Sequence, residues 1–435
     1  SEEIAVSLSG DDQFTIPLGT AINMLVYADL SAGASGTGTH TIDITSSNAN
    51  VVTAQGATSG NSVNAAEGTA TANAMTVGTA GGTIEVSLDA SNPAAALMAG
   101  GVDFALAKYK FLATTTEDVE LDYLYLTQVV TDTNSSSYVD YDEIWFVDED
   151  GAEIAGTRMT PTSTMPKINF AADAFVVDYS DNNGEVLTLM AKVATIGGIG
   201  GGTSDHASGY KINASADVVA KGDLTGVAST EYISSGAAPT GKTHYYYRGY
   251  PVVTKENLTN TLTNGINDLY KFTVTATNDE ISLYAFTFGI ATTGVTLSDF
   301  VLYSLTDGQD VSVTAGTAHL NVWATSGTDW STNYTSDEVV IASGASHTFI
   351  MRAAVASSGD SGDAVSVHMG GDAAHVAGTD TLLHTASEVD HDANDDFIWS
   401  DRSAGSHTAS TDDWTNGYLV SGLVSPSGTS QTIGL

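Results

Sequence analysis

Asp390, Asp392, Asn394 and Asp396 alternate through the stretch DHDANDD. Side-chain oxygens at every second position open loops that hold calcium, an ion that takes six to eight oxygen ligands; the glycine such loops place at their bend is missing here. Asp178, Asp181, Asn182 and Asn183 precede Gly184 in DYSDNNG, and Asp148 and Asp150 precede Gly151 in DEDG. These three stretches are the candidate calcium ligands. Each also suits a solvated turn, because Asp and Asn close turns by bonding to their own backbone. No catalytic set accompanies them: Gly-x-Ser-x-Gly, HExxH, a phosphate-binding loop and a dinucleotide fingerprint do not occur. The ten histidines are scattered, so a zinc site lacks its spacing. Carboxylate pairs for glycoside chemistry are defined by separation in space, which 52 acidic residues make unreadable in sequence. The expectation is a protein that is not an enzyme.

A second group is aromatic. Tyr245, Tyr246, Tyr247 and Arg248 stand beside Lys242 and His244 in SSGAAPTGKTHYYYRGYP, and Trp399, Trp414 and Tyr418 stand in the last 40 residues. Tyr, Trp and Arg dominate the centres of protein interfaces, so these seven are candidate assembly contacts, with an edge strand and docking on the chain's own domain as the plainer readings. Exposed aromatics could instead stack on sugars in an adhesin or glycan-binding module, with Trp323 and Trp330 added to the tyrosines. Asn134, Asn213, Asn257 and Asn333 fit the Asn-x-Ser/Thr acceptor pattern of glycosylation.

Charge narrows the partners. With 13 Lys plus Arg against 52 Asp plus Glu, the net charge is -39, which repels nucleic acid and anionic membranes. Copies of the chain repel one another too, so dense assembly calls for calcium, salt or well-placed basic groups. There is no cysteine, which removes disulfides and thiolate metal sites. No apolar run approaches the ~20 residues of a membrane span, and the N-terminus lacks a signal-peptide pattern. A hydrophobic fraction of 42% is too high for general disorder.

The elements that must position these residues read as strands. Short runs of alternating apolar and polar residues recur between Gly, Asn, Asp and Ser, predicting strands over 84–88, 106–112, 119–127, 143–147, 175–179 and 186–194. The chain also repeats. YKFLATTTEDVELDYLYL from Tyr109 matches YKFTVTATNDEISLYAFTF from Tyr270, aligning Val119 and Leu121 with Ile281 and Leu283, and Leu124 and Leu126 with Phe286 and Phe288. Both copies slip from odd to even apolar positions at the same place, which predicts a retained β-bulge. MLVYADL from Met24, LTLMAKV from Leu187 and FIMRAAV from Phe349 form a second, threefold correspondence.

The expected fold is therefore all-β, in tandem Ig-like sandwiches: a partial unit over 1–80, full sandwiches over 81–236 and 251–380, a linker or edge strand over 237–250, and an aromatic-bearing tail over 381–435. A half-sandwich exposes strand edges, so the first unit is expected to be completed by an upstream segment or by a neighbouring copy lending strands.

SLDASNPAAALMAGGVDFALAKYKFLAT, LTNGINDLYKFTVTATNDEISLYAFTFGI and DDFIWSDRSAGSHTASTDDWTNGYLVSGL resemble the Ig-like-repeat surface proteins of candidate-phyla-radiation (Patescibacteria/Parcubacteria-like) bacteria. That resemblance implies an extracellular, cell-surface structural protein and brings no catalytic residues with it. The expectation is a self-assembling homo-polymer on the cell envelope, first a surface-layer lattice, then a filament built by strand complementation, then an adhesin.

Overall fold

The computed structural model describes residues 15–22, 39–40, 43–44, 53–64, 70–71, 75–76, 81–115, 117–130, 137–197, 204–312, 320–324, 337–383, 394–423 and 430–435. Regular structure within them is β, interrupted by short 3-10 turns such as Ser215–Asp217 and Asp380–Leu382.

The first sandwich pairs a five-stranded sheet, in the order Tyr141–Val147, Glu185–Val193, Asp103–Thr115, Thr83–Leu88, Thr230–Ile233, with two smaller sheets. One is built on Val119–Tyr125, flanked by Lys167–Asn169 and Val176–Val177 and by Val218–Gly222; the other runs Thr127–Val130, His206–Lys211, His244–Tyr247, Leu97–Ala99. Alternation sets the core: Ile84 and Val86, Tyr109 and Phe111, Leu187 and Leu189 point inward and pack with Leu121, Leu124, Val218 and Tyr210 from across the sandwich. In the second sandwich the five-stranded sheet runs Tyr250–Glu256, Gly265–Thr277, Ser346–Ser357, Val295–Ser304, Gln309–Asp310. Its partner sheet is organised around Ile281–Thr293, with Phe397–Ser400, Trp414–Asn416, Ala364–Met369, Gln431–Gly434, Asn321–Ala324 and Val339–Ile341.

The repeat and its bulge are both present. Register shifts fall between Leu121 and Tyr123 where that strand pairs with Val218–Gly222, and between Leu283 and Ala285 where its counterpart pairs with Phe397–Ser400. The extra residue turns the apolar phase, so Val119, Leu121, Leu124 and Leu126 are all fully buried, as are Ile281, Leu283, Phe286 and Phe288. Glu185–Val193 and Ser346–Ser357, matched in sequence, each pair with the strand that carries the Tyr-Lys-Phe segment of the repeat: the first with Asp103–Thr115, the second with Gly265–Thr277.

Several boundaries differ from the sequence reading. The strand predicted over 119–127 breaks at Leu126, whose N–H donates to Pro166 O at 3.1 Å, and a new strand starts in the neighbouring sheet. The strand over 175–179 shrinks to Val176–Val177 because the Tyr179 N–H goes to Asp118 Oδ1 at 3.0 Å. Residues 237–250 are neither a bare linker nor an edge strand: His244–Tyr247 is an inner strand, hydrogen-bonded between His206–Lys211 and Leu97–Ala99 inside the first sandwich. Nor do residues 381–435 form a tail, since Phe397–Ser400, Trp414–Asn416 and Gln431–Gly434 complete the second sandwich. In the 1–80 unit, Thr39–His40 pairs with Met75–Thr76, Asp43–Ile44 with Ala70–Thr71, and Thr53–Gln55 with Ser62–Asn64, nested about one hairpin; Met24 to Leu30 lie outside the described residues.

Candidate functional site: the junction between the sandwiches

Only Arg248 and Gly249 separate the last strand of the first sandwich, His244–Tyr247, from the first strand of the second, Tyr250–Glu256. Successive strand residues face opposite ways, and here the two ways are two domains. Tyr246 packs in the first core, edge to face with Tyr141 at 5.4 Å, and its hydroxyl bonds to Tyr141 and, at 2.7 Å, to Ser208 Oγ. Tyr247 packs in the second core, 4.8 Å from the ring of Trp399. Leu97, from a strand of the first sandwich, also belongs to the second core.

Three polar contacts fix the same boundary. Asp205, at the start of a first-sandwich strand, accepts the Tyr247 hydroxyl on Oδ1 at 2.7 Å; the same oxygen lies 2.8 Å from His375 Nε2, and Oδ2 accepts the Gly378 N–H. Burial raises the Tyr247 phenol far above its ordinary value, and the Asp205 charge adds to it. Buried Asp401 accepts the Arg248 N–H at 2.8 Å, the Ser204 hydroxyl and the Ser403 N–H; burial pushes its carboxyl up despite those donors. Asn278, in the left-handed region at φ +73°, donates to Gly100 O at 3.1 Å and to Arg248 O at 2.8 Å. A Cβ at Gly249 would lie 2.7 Å from Asp279 O, so the second position of the connection has no room for a side chain.

The candidate assembly contacts are consumed within the chain, most of them at this junction and Trp414 in a small core beside Tyr284. Tyr246, Tyr247, Trp399 and Trp414 are at most 2% exposed, so they cannot meet another copy of the chain. Tyr245 is half-buried against His375 at 4.3 Å and Tyr418 at 5.6 Å. Arg248 pairs with Asp279 Oδ2 at 2.7 Å and donates to Arg402 O. These tyrosines therefore offer sugars no platform; Trp323 lies in the strand Asn321–Ala324, and Trp330 falls outside the described residues.

The candidate calcium ligands do not converge. Asp178 Oδ1 accepts the Ser180 N–H, Asp181 Oδ1 the Asn183 N–H and Asp148 Oδ1 the Ala152 N–H, at 2.6, 2.8 and 2.8 Å: each closes its own turn, while Asp150 is exposed beside one of them. Asn394 Oδ1 accepts the Ala374 N–H at 2.9 Å, Asp396 lies beside Asp372, and Asp390 and Asp392 are outside the described residues. Among the described residues, three acidic ligand atoms do gather within 4.8 Å of one another, those of Glu120, Asp173 and Asp223, a group brought together from a strand and two loops that no local spacing announces. Lys221 already pairs with Glu120 at 2.9 Å. Of the sequons, Asn213 and Asn257 are exposed, and Asn134 and Asn333 lie outside the described residues.

One constellation has the residue types of a hydrolytic triad. His407 Nδ1 lies 2.8 Å from Asp413 Oδ2 and 3.4 Å from Ser400 Oγ, and Nε2 lies 2.7 Å from Glu338 Oε2. Serine and aspartate thus share one ring nitrogen, whereas nucleophile activation needs them on opposite nitrogens. Burial opposes charging His407, but Asp413 and Glu338 outweigh it and hold the imidazole up at about 9, so it is an imidazolium with no lone pair to act as base. The cluster is a structural clamp, with Arg402 Nη1 2.6 Å from Glu338 Oε1.

No protein-family model matches the chain, and no curated protein does. Among solved structures, the C-terminal domain of the AgI/II polypeptide BspA from Streptococcus agalactiae is similar over 66% of this chain and 94% of that one, at 10% identity and a TM-score of 0.18. A structure of manganese lipoxygenase from Gaeumannomyces graminis with part of zonadhesin from Komagataella pastoris is similar over 66% and 87%, at 10% identity and a TM-score of 0.16. Likenesses this distant carry no argument about what the chain does.

Proposed function

We propose that the chain is an extracellular, self-assembling structural protein, a subunit of a surface-layer lattice. The observation that carries this reading is the junction: two sandwiches joined by two residues, sharing one strand between their cores and bolted by Asp205 and Asp401. Such a unit keeps its shape under load, which a lattice requires. A net charge of -39 supports solubility before assembly and dependence on cations during it; calcium is the cation proposed, held among the acidic loops at contacts between copies. No helix among the described residues is long and apolar enough to cross a membrane.

A filament is the second reading, favoured by the match of Met24–Leu30 to two strands that lie inside five-stranded sheets, at Glu185–Val193 and Ser346–Ser357. Were strands flanking that segment lent by a neighbouring copy, the contact would be head-to-tail and would propagate as a fibre. Negative-stain microscopy of the purified chain, with millimolar calcium and then with chelator, tests both: ordered sheets support the lattice, fibres the filament, and monodisperse particles in every condition overturn self-assembly.

A further inference from the structure

The bulged strand Val119–Tyr125 and its repeat counterpart Ile281–Thr293 use their outer faces in opposite ways. In the second sandwich Ala285 lies opposite Ile398, and the two sit with Tyr284, Leu382 and Trp414 in a small separate core on the outside of the sheet. The chain roofs that face with its own apolar residues. In the first sandwich the same post-bulge position is Tyr123, opposite Val219, and no hydrophobic cluster covers it among the described residues.

The uncovered face is aromatic and polar together. Tyr123 and Tyr125, both half-buried, meet edge to face at 5.8 Å. The Lys167 ammonium lies 3.5 Å over the Tyr123 ring, on the strand whose pairing sets Lys167 opposite Tyr125 and Asn169 opposite Tyr123. One step along the strand, Lys221 Nζ bridges Glu120 Oε2 and Asp122 Oδ1, at 2.9 Å each.

We infer that this face binds an uncharged polysaccharide chain. An apolar protein roof like that of the second sandwich would strip water from Lys167, Asp122 and Lys221, at a cost that their pairing does not recover. A pyranose suits the surface instead: its C–H groups pack against the exposed parts of the Tyr123 and Tyr125 rings, Lys167 keeping the Tyr123 face that it covers; the rings give rigid contact area at little entropic cost, while carboxylate, ammonium and amide groups exchange hydrogen bonds with its hydroxyls. Glu120, Asp122, Asp173 and Asp223 outnumber Lys167 and Lys221 here, so a polyanionic glycan is repelled. Glu120 is buried at one end, and from Asp122 to Tyr125 the strand extends about 10 Å on the sheet's outer face, which suits a stretch of polymer rather than an enclosed monosaccharide. This inference does not depend on self-assembly.

Affinity electrophoresis of the full chain, through gels containing dextran, mannan, glucomannan or a β-glucan and, separately, heparin, tests it. Retardation is expected in at least one neutral polymer and absent in heparin. The Tyr123→Ala/Tyr125→Ala variant should lose at least about tenfold in apparent affinity, and Tyr232→Ala, at an exposed tyrosine elsewhere, should lose none. Asp122→Asn, at a side chain 39% exposed, should weaken binding without disturbing the fold and keeps the test valid if the double variant melts early. No retardation in any neutral polymer, or retardation that the double variant and Asp122→Asn both retain, overturns the proposal.

Discussion

Tyr246 and Tyr247 are adjacent residues of one strand whose rings lie in two different hydrophobic cores, the first against Tyr141 and the second against Trp399. Strand alternation alone produces this, once the strand runs along the boundary between two sandwiches. Neither core can lose that strand without exposing the other, so the two domains should unfold together.

Tyr247→Ala is therefore expected to uncouple them. Removing a fully buried aromatic ring costs about 3–5 kcal/mol, and here it also leaves Asp205 short of a donor. Chemical denaturation followed by circular dichroism should change from one transition in the parent to two in the variant. Two transitions already present in the parent would show that the shared strand does not couple the sandwiches.

The His407 clamp sets a pH dependence. The imidazole is held up at about 9 in the folded chain, while Glu338 and Asp413 are held down at about 2. Between pH 6.5 and about 9 the folded state binds the extra proton, so stability falls as pH rises through that range. Between about 4.5 and 2 the unfolded state binds more protons, so stability also falls as pH drops. His407→Gln should cost about 3 kcal/mol at pH 6, by leaving the Asp413 carboxylate without its cation and Glu338 with Arg402 alone, and should flatten the alkaline slope. Denaturant midpoints at pH 6, 7.5 and 9 provide the check; an unchanged slope in the variant would remove His407 as its cause.

The strands and the bulge were legible because burial writes them directly: Val119, Leu121, Leu124 and Leu126 can all face a core only if the phase slips, and the sequence shows the slip twice. The junction was not. YYY reads the same whether its rings enter one core or two, and the partners that decide it, Asp205 and Trp399, lie some 40 and 150 residues away. Trp399 and Trp414 sit among small polar residues, so their stretch reads as a tail, although both are fully buried. The role of the acidic turns is not legible either, because a carboxylate that closes its own turn, as Asp148, Asp178 and Asp181 do, and one that takes an ion look alike in sequence.

Asp372 should titrate near neutrality. It is 5% exposed, and burial pushes its carboxyl up to about 7, with the Asp396 charge adding to the rise and N–H donors from Asp396 and Gly417 opposing it. Since the folded value exceeds the ordinary 3.8, this group's contribution to stability falls as pH rises from about 4 to about 7. Carboxyl carbon NMR should show one aspartate with a midpoint near 7, and Asp396→Asn should move that midpoint down by removing the neighbouring charge. A midpoint that stays in place would assign the shift to burial alone.

Gly422 holds the end of the chain against the second sandwich. Its φ of +89° is a region other residues rarely adopt, and a Cβ there would fall 1.6 Å from Val253 O. The approach is close because Ser421 forms a parallel bridge with Val252 and its carbonyl accepts the Val253 N–H at 2.8 Å, so the two backbones are already in contact. Neither can retreat cheaply: Val253 is buried in the second core, and the preceding turn is tied by the Val420 N–H to Gly417 O at 3.1 Å. Gly422→Ala should therefore cost more than the ~1–3 kcal/mol of backbone strain alone and should release residues 417–423 from the sheet edge. Hydrogen exchange at the Val253 amide reports this directly: protection lost in the variant, with the first sandwich's amides unaffected, is the expected pattern, and retained protection would place that segment elsewhere.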